Sequence, residues 1–118
     1  MEIKSYKDLE VWKKGLEIAD TIYVSTGKFP SEEKHVLVSQ MRRSAVSIPS
    51  NIAEGHMRQH TKEFRQFCYI SLGSCAELET QVIIAGKRGY ITKLKYNEVL
   101  DRIDHEKRML LNLIKKIH

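Results

Sequence analysis

Apolar positions recur along the chain at three- and four-residue steps, with charged positions between them. That is the period of a helix with one buried face. Leu9, Trp12, Leu16, Ala19 and Tyr23 form the first ladder, and Val11, Ile18 and Ile22 widen it into a broad stripe. The pattern predicts a helix from near Ser5 to about Thr26, closed by Gly27 and Pro30. Ser31, followed by Glu32 and Glu33, has the chemistry of an N-cap with acids in the first turn. Behind it Val38, Met41, Ala45, Ile48 and Ile52 form a second ladder that ends near Gly55. Pro49 falls inside this ladder. A proline removes one helical hydrogen bond and crowds the carbonyl four residues back. The ladder keeps its phase across Pro49 to Ile52, so a kink is expected there and not a break.

The segment from His56 to His60 reads as a polar connection, with Thr61 as the cap of a third helix. Phe64, Phe67, Leu72, Leu78 and Val82 make its core face, and Cys68, Cys75 and Ala76 fill narrower places. Gly86 and Gly89 end it. Thr92 caps a fourth helix, which turns Tyr96, Val99, Ile103, Leu110, Leu113 and Ile117 inward. Glu106 lies on that same stripe, which predicts an edge position or a paired charge. Helices of roughly 22–27 residues are about 35–40 Å long, and short connections make consecutive helices antiparallel neighbours. The expected fold class is all-α: an antiparallel up-and-down four-helix bundle, one domain over residues 1–118, with the second helix kinked near Pro49.

The length of 118 residues is enough for a core without disulfides or metal. No apolar run approaches the ~20 residues that span a membrane. Met1 to Trp12 alternates charges with single apolar residues and lacks the apolar core of a secretory signal. Cys68 and Cys75, seven apart on one helix, are about 10 Å apart along its axis, too far for an internal disulfide. Two free thiols suit a reducing compartment. Together these features predict a cytoplasmic protein with no membrane partner. The formal charge of +5 is compatible with a polyanion and does not demand one.

Two groups of residues are candidates for function. Gln40, Ser44, Ser47, Asn51 and Glu54 step by 4, 3, 4 and 3 residues, a small and polar stripe beside the apolar one that continues to Arg58. It reads either as a close helix–helix seam, with Ser and Asn bonding backbone freed by Pro49, or as a polar groove or oligomer interface. Arg42, Arg43, Arg58, Lys62 and Arg65 are the candidate nucleic-acid contacts. Arginine pairs bidentately with phosphate, so these residues could track a nucleic-acid backbone; they could equally form a solvated face paired with Glu54 and Glu63. No base-reading fingerprint accompanies them.

Catalysis and metal binding have little support in the sequence. His56 and His60 have the spacing of two ligands on one helical turn, but they fall in a connection with no third ligand near. A ferritin-like di-iron site needs Glu-x-x-His on two helices, and the chain does not carry that motif twice. No histidine is placed to activate Cys68 or Cys75, and Gly86-Lys87-Arg88-Gly89 reads as a helix-ending turn, not a phosphate loop. The expectation is a protein without catalytic residues, metal or cofactor.

The segment Tyr6-Lys7-Asp8-Leu9-Glu10-Val11-Trp12-Lys13-Lys14, then Phe29-Pro30, then the long run from Gln40 to Gly55 with Arg58, and finally Gly73-Ser74 with Glu77-Leu78-Glu79, resemble one family along nearly the whole chain. It is the family of four-helix bundle proteins encoded by intervening sequences in bacterial 23S ribosomal RNA genes. Ser44 and Cys75 stand where that pattern favours other apolar or small residues, and His56-Met57 precede Arg58. The resemblance implies an antiparallel bundle that assembles as a homopentamer, similar in fold to the basic pentameric accessory protein of diversity-generating retroelements. It implies no enzymatic activity. The functional expectation is an oligomeric binding module for RNA or another nucleic acid, with a protein-interaction or self-assembly scaffold as the other reading.

Overall fold

The computed structural model describes residues 5–117. Met1 to Lys4, which open the segment read above as lacking a secretory core, lie outside the described residues, as does His118. The described chain starts with one 3-10 turn, Tyr6–Asp8, in place of the helix expected from Ser5. Ser5 does act as a cap, its Oγ accepting from the Lys7 N–H at 3.1 Å. Leu9 then takes extended backbone, and α1 begins only at Glu10 (Glu10–Thr26).

The buried ladder of α1 is Val11, Gly15, Ile18, Ile22 and Thr26, one residue earlier than the ladder first read. Leu16 and Tyr23 are exposed, whereas Trp12 and Ala19 are half-buried. The cause is close approach. A Cβ on Gly15 would stand 3.2 Å from Pro49 Cβ and 3.3 Å from Glu106 Oε2. Hydrophobicity ranks Leu16 above Gly15, but the neighbouring helices come nearest where there is no side chain.

A second 3-10 turn, Ser31–Glu33, precedes α2 (Leu37–Met57). Ser31 therefore does not cap α2; Val36 holds that position without a side-chain hydrogen bond. Glu33 instead accepts from the Tyr90 hydroxyl at 2.9 Å, which draws the acid into the connection. The helix passes through Pro49 without interruption. Its inward face is the expected one, with Val38, Met41, Ala45, Ile48 and Ile52 all buried.

The third helix, α3 (Thr61–Lys87), follows three residues later, with His60 and not Thr61 at the cap position. Its deepest side chains are Cys68, Ser71, Cys75, Leu78, Val82 and Ala85. Phe64, Phe67 and Leu72 are only half-buried, and Ala76 is exposed. At its end Gly89 takes φ +76, a left-handed turn open to glycine. The Tyr90 N–H then reaches Ala85 O at 3.0 Å and the Gly89 N–H reaches Gly86 O at 3.1 Å, which is a Schellman ending. Thr92 caps α4 (Lys93–Lys116) through Oγ1, accepting from the Lys95 N–H at 3.2 Å.

The four helices stand as a ring in which α1 touches α2 and α4, and α3 touches α2 and α4. Contacts between neighbours run in opposite senses. Thr26 meets Arg42 whereas Gly15 meets Pro49; Ser47 meets Ser74 whereas Gly55 meets Phe67. Likewise Glu79 meets Lys107 and Gly86 meets Tyr96, and Glu17 meets Arg102. Every adjacent pair is antiparallel, in a molecule of 44 × 24 × 19 Å.

Candidate nucleic-acid interface

The five candidate cations divide between the two ends of the bundle. Arg43 lies on α2 and Arg58 caps its C-terminal end fifteen residues later, about 22 Å along the axis. Arg42 is committed to the fold. Its Nε donates to Thr26 Oγ1 at 3.0 Å, its Nη2 donates to Tyr23 O at 3.3 Å, and its guanidinium lies 4.6 Å from the centre of the Tyr23 ring. A cation is thereby placed on the Tyr23 carbonyl in the last turn of α1, where the helix dipole favours it. Arg43 is exposed and forms no ion pair among the described residues.

Between Arg42 and Arg43 and the preceding connection lies an open cavity of about 450 Å³. Its lining comprises Tyr23, Lys34, His35, Val38, Ser39, Arg42, Arg43 and Val46. None of these is a carboxylate. A smaller cavity of about 280 Å³ shares Lys34, Val38 and Arg42 with it, so the basic groove continues toward Phe29 and Pro30.

At the opposite end Arg58 is already paired. Its Nη2 donates to Glu54 Oε2 at 2.9 Å, Nη1 lies 3.9 Å from Glu63, and the guanidinium stands 5.2 Å from the Phe67 ring centre. Arg65 lies 5.9 Å from the ring centre of Tyr69. Lys62 is exposed and unpaired among the described residues.

Sequence reading missed the cations of the connections. Phe29 and Tyr90 pack at 5.3 Å and the Tyr90 hydroxyl bonds Glu33, which brings the α1–α2 and α3–α4 connections together. Lys28, Lys34 and His35 then share one end of the bundle with Lys87, Arg88 and Lys93. The available signal was the density of basic residues in two connections that an up-and-down topology must place at the same end.

The polar stripe divides as well. Ser44 is buried, whereas Gln40 and Glu54 face solvent. Ser47 Oγ meets Ser74 Oγ at 2.7 Å across the α2–α3 seam. Asn51 Nδ2 donates to Ser47 O and Oγ, both at 2.8 Å, and Ser71 Oγ donates to Ile48 O at 2.9 Å. These carbonyls directly precede Pro49; the one its missing N–H leaves without a helical donor is that of Ala45. Gly73, one residue before Ser74, has nothing within 4 Å of its would-be Cβ and takes no part in this seam.

The sequence model of the 23S rRNA-intervening sequence protein family matches residues 7–112. The chain belongs to that family. Among solved structures it is similar to a protein with unknown function from the S23 ribosomal protein family of Bacteroides thetaiotaomicron VPI-5482. The two superpose with a TM-score of 0.80 at 25% identity, over 89% of this chain and 95% of that one. No match is found among curated proteins.

In this intervening-sequence family member the interior holds one charge-capable group that the stripe pattern misread. Glu106 is neither an edge residue nor a paired charge: it is fully buried, and both its carboxyl oxygens lack a hydrogen-bond partner. Burial first, then the nearby Glu17, push its carboxyl up to about 8, against a smaller opposing effect of Lys14. Burial also pushes the thiols of Cys68 and Cys75 up to about 12, which makes them packing groups and poor nucleophiles. His56 packs edge-on against Phe64 at 5.5 Å and Tyr6 at 6.4 Å. With His60, Leu9, Thr61 and Leu113 it lines a mostly apolar cavity of about 250 Å³. Among the described residues no three His, Cys, Asp or Glu side chains gather in a metal-holding group. No helix there is long and apolar enough to cross a membrane.

Proposed function

We propose that the protein is a non-enzymatic cytoplasmic binding module that works as an assembly of several copies and holds RNA or another nucleic acid by its phosphates. The observation that carries this reading is the open groove between α1 and α2, which Lys34, His35, Arg42 and Arg43 line without any carboxylate. Phosphate contacts position a backbone without reading bases, in keeping with the lack of a base-reading motif. Assembly multiplies the effect: a homopentamer would carry about +25, five times the formal +5 of one chain. The test is anisotropy of a labelled RNA between 50 and 200 mM salt, on the parent and on Lys34→Ala/Arg43→Ala. Affinity is expected to fall steeply with salt and to drop in the double variant. A flat salt response, or no RNA retained at low salt, would sink the reading.

A protein-interaction or self-assembly scaffold is the second reading, and the outer face of α3 favours it. Ile70, Gly73, Glu77, Thr80 and Ile84 step by 3, 4, 3 and 4 residues and are all exposed. Tyr69 on α3 and Val46 and Met57 on α2 add exposed apolar surface. Under this reading, replacing Lys34 and Arg43 leaves the particle mass and partner capture unchanged, and no RNA is held at any salt concentration.

A further inference from the structure

We infer that the cavity between α1 and α2 takes one unpaired nucleotide, with its phosphate between Lys34 and Arg43 and its base against the ring of Tyr23. This rests on the nucleic-acid reading above and narrows it to single strands. The cavity of about 450 Å³ is within the range of sites that enclose small ligands. Its chemistry is mixed in a specific way: cations for a phosphate, an aromatic ring, and the methyl groups of Val38 and Val46 beside it. Stacking of a base on an aromatic side chain tolerates any sequence, because every base has a π-face.

Tyr23 is prepared for that contact. It is 47% exposed, although it lies near the end of a helix whose next inward residues are buried. Arg42 holds the ring from one side at 4.6 Å and is itself held by Thr26 Oγ1 and Tyr23 O. Ring and guanidinium form a fixed wall, so little side-chain freedom is lost when a base arrives. Arg42 is thus a positioning residue; Lys34 and Arg43 are the cations left free to contact phosphate. The opposite end lacks this combination. Its cavity is lined by Leu9, His56, Gln59, His60, Thr61, Phe64 and Leu113, with no Lys or Arg, and Arg58 there is paired with Glu54 and Glu63.

A duplex offers phosphates to the same cations but keeps its bases stacked inside. The test compares a ten-nucleotide single-stranded RNA with a duplex of the same sequence, by anisotropy at fixed low salt. Tyr23→Leu is expected to weaken the single strand about tenfold and to leave the duplex unchanged. Tyr23→Phe, which keeps the ring, should bind both as the parent does, and Arg43→Ala should weaken both. Equal loss for both RNAs in Tyr23→Leu, or loss for neither while RNA still binds the parent, overturns the inference and spares the broader reading. Failure of both RNAs to bind the parent overturns both. A measurement independent of variant folding is irradiation of the parent with 4-thiouridine-substituted single-stranded RNA. Crosslinks on the peptide that carries Tyr23 support the site, and crosslinks confined elsewhere overturn it.

Discussion

Glu106 shows what a single residue can hide in a periodic pattern. Its place on the stripe between Ile103 and Leu110 was legible, and geometry carried it to the core with the rest. A lone carboxyl in a core is unfavourable when ionised, so a charged partner or an edge was the natural expectation. The structure has neither, because Gly15 opens room for the carboxyl, which burial keeps protonated near neutral pH. The linkage has a definite sign. An unfolded chain releases this proton near 4.5, whereas the folded chain keeps it until about 8. The contribution of this carboxyl to stability is therefore full below about pH 4.5 and declines as pH rises to about 8, by about 1.4 kcal/mol for each unit between the two values. In thermal melts from pH 5 to 8.5, Glu106→Gln should show a shallower decline than the parent; matching slopes would contradict the buried-carboxyl account. The thiols give a second residue-scale expectation. With both pushed up to about 12, a disulfide reagent at pH 8 should modify Cys68 and Cys75 at least a hundredfold more slowly in the folded chain than in denaturant.

At the scale of elements, the helices were legible wherever packing followed hydrophobicity. The α2 ladder from Val38 to Ile52 is buried as read, because only one of its faces is apolar. Legibility failed where small residues decide the approach. On α1 two apolar ladders run side by side, and Gly15 selected the one with fewer large side chains. Cap chemistry was ambiguous for a related reason: Ser31 and Thr61 have suitable hydroxyls, but nothing in their local sequence fixes whether the chain is already turning. Two helical glycines, Gly55 on α2 and Gly73 on α3, make a test. A Cβ on Gly55 would fall 2.5 Å from Phe67 Cβ, an atom anchored to the α3 backbone. Overpacking of this kind costs about 1–3 kcal/mol, more than the gain of up to about 1 kcal/mol from replacing a helical glycine by alanine. Gly55→Ala should lower the melting temperature by several degrees. Gly73→Ala meets nothing within 4 Å and should raise it slightly in the isolated chain. A rise for Gly55→Ala would mean that α2 and α3 can separate there without loss.

At the scale of the whole molecule, the helix connections gather cations at one end of the bundle. The basic end comes from connections whose charges are far apart in sequence, so counting along α2 alone found only Arg42 and Arg43 and grouped them with Arg58, Lys62 and Arg65 at the other end. The outward face of α3 carries Ile70 and Ile84, each 44% exposed. If this face joins copies, Ile70→Glu should lower the mass measured by light scattering while helicity by circular dichroism stays the same; an unchanged mass would move the assembly surface elsewhere. The groove between α1 and α2 has a consequence for descent. Arg42 stitches the end of α1 to α2 and also forms a wall of the groove, so its loss strikes the architecture before any ligand is involved. Lys34, His35 and Arg43 carry no such bond among the described residues. A lineage that keeps Arg42 is free to exchange those three and acquire a new ligand on an unaltered frame, so relatives can share this bundle faithfully while diverging in what they hold.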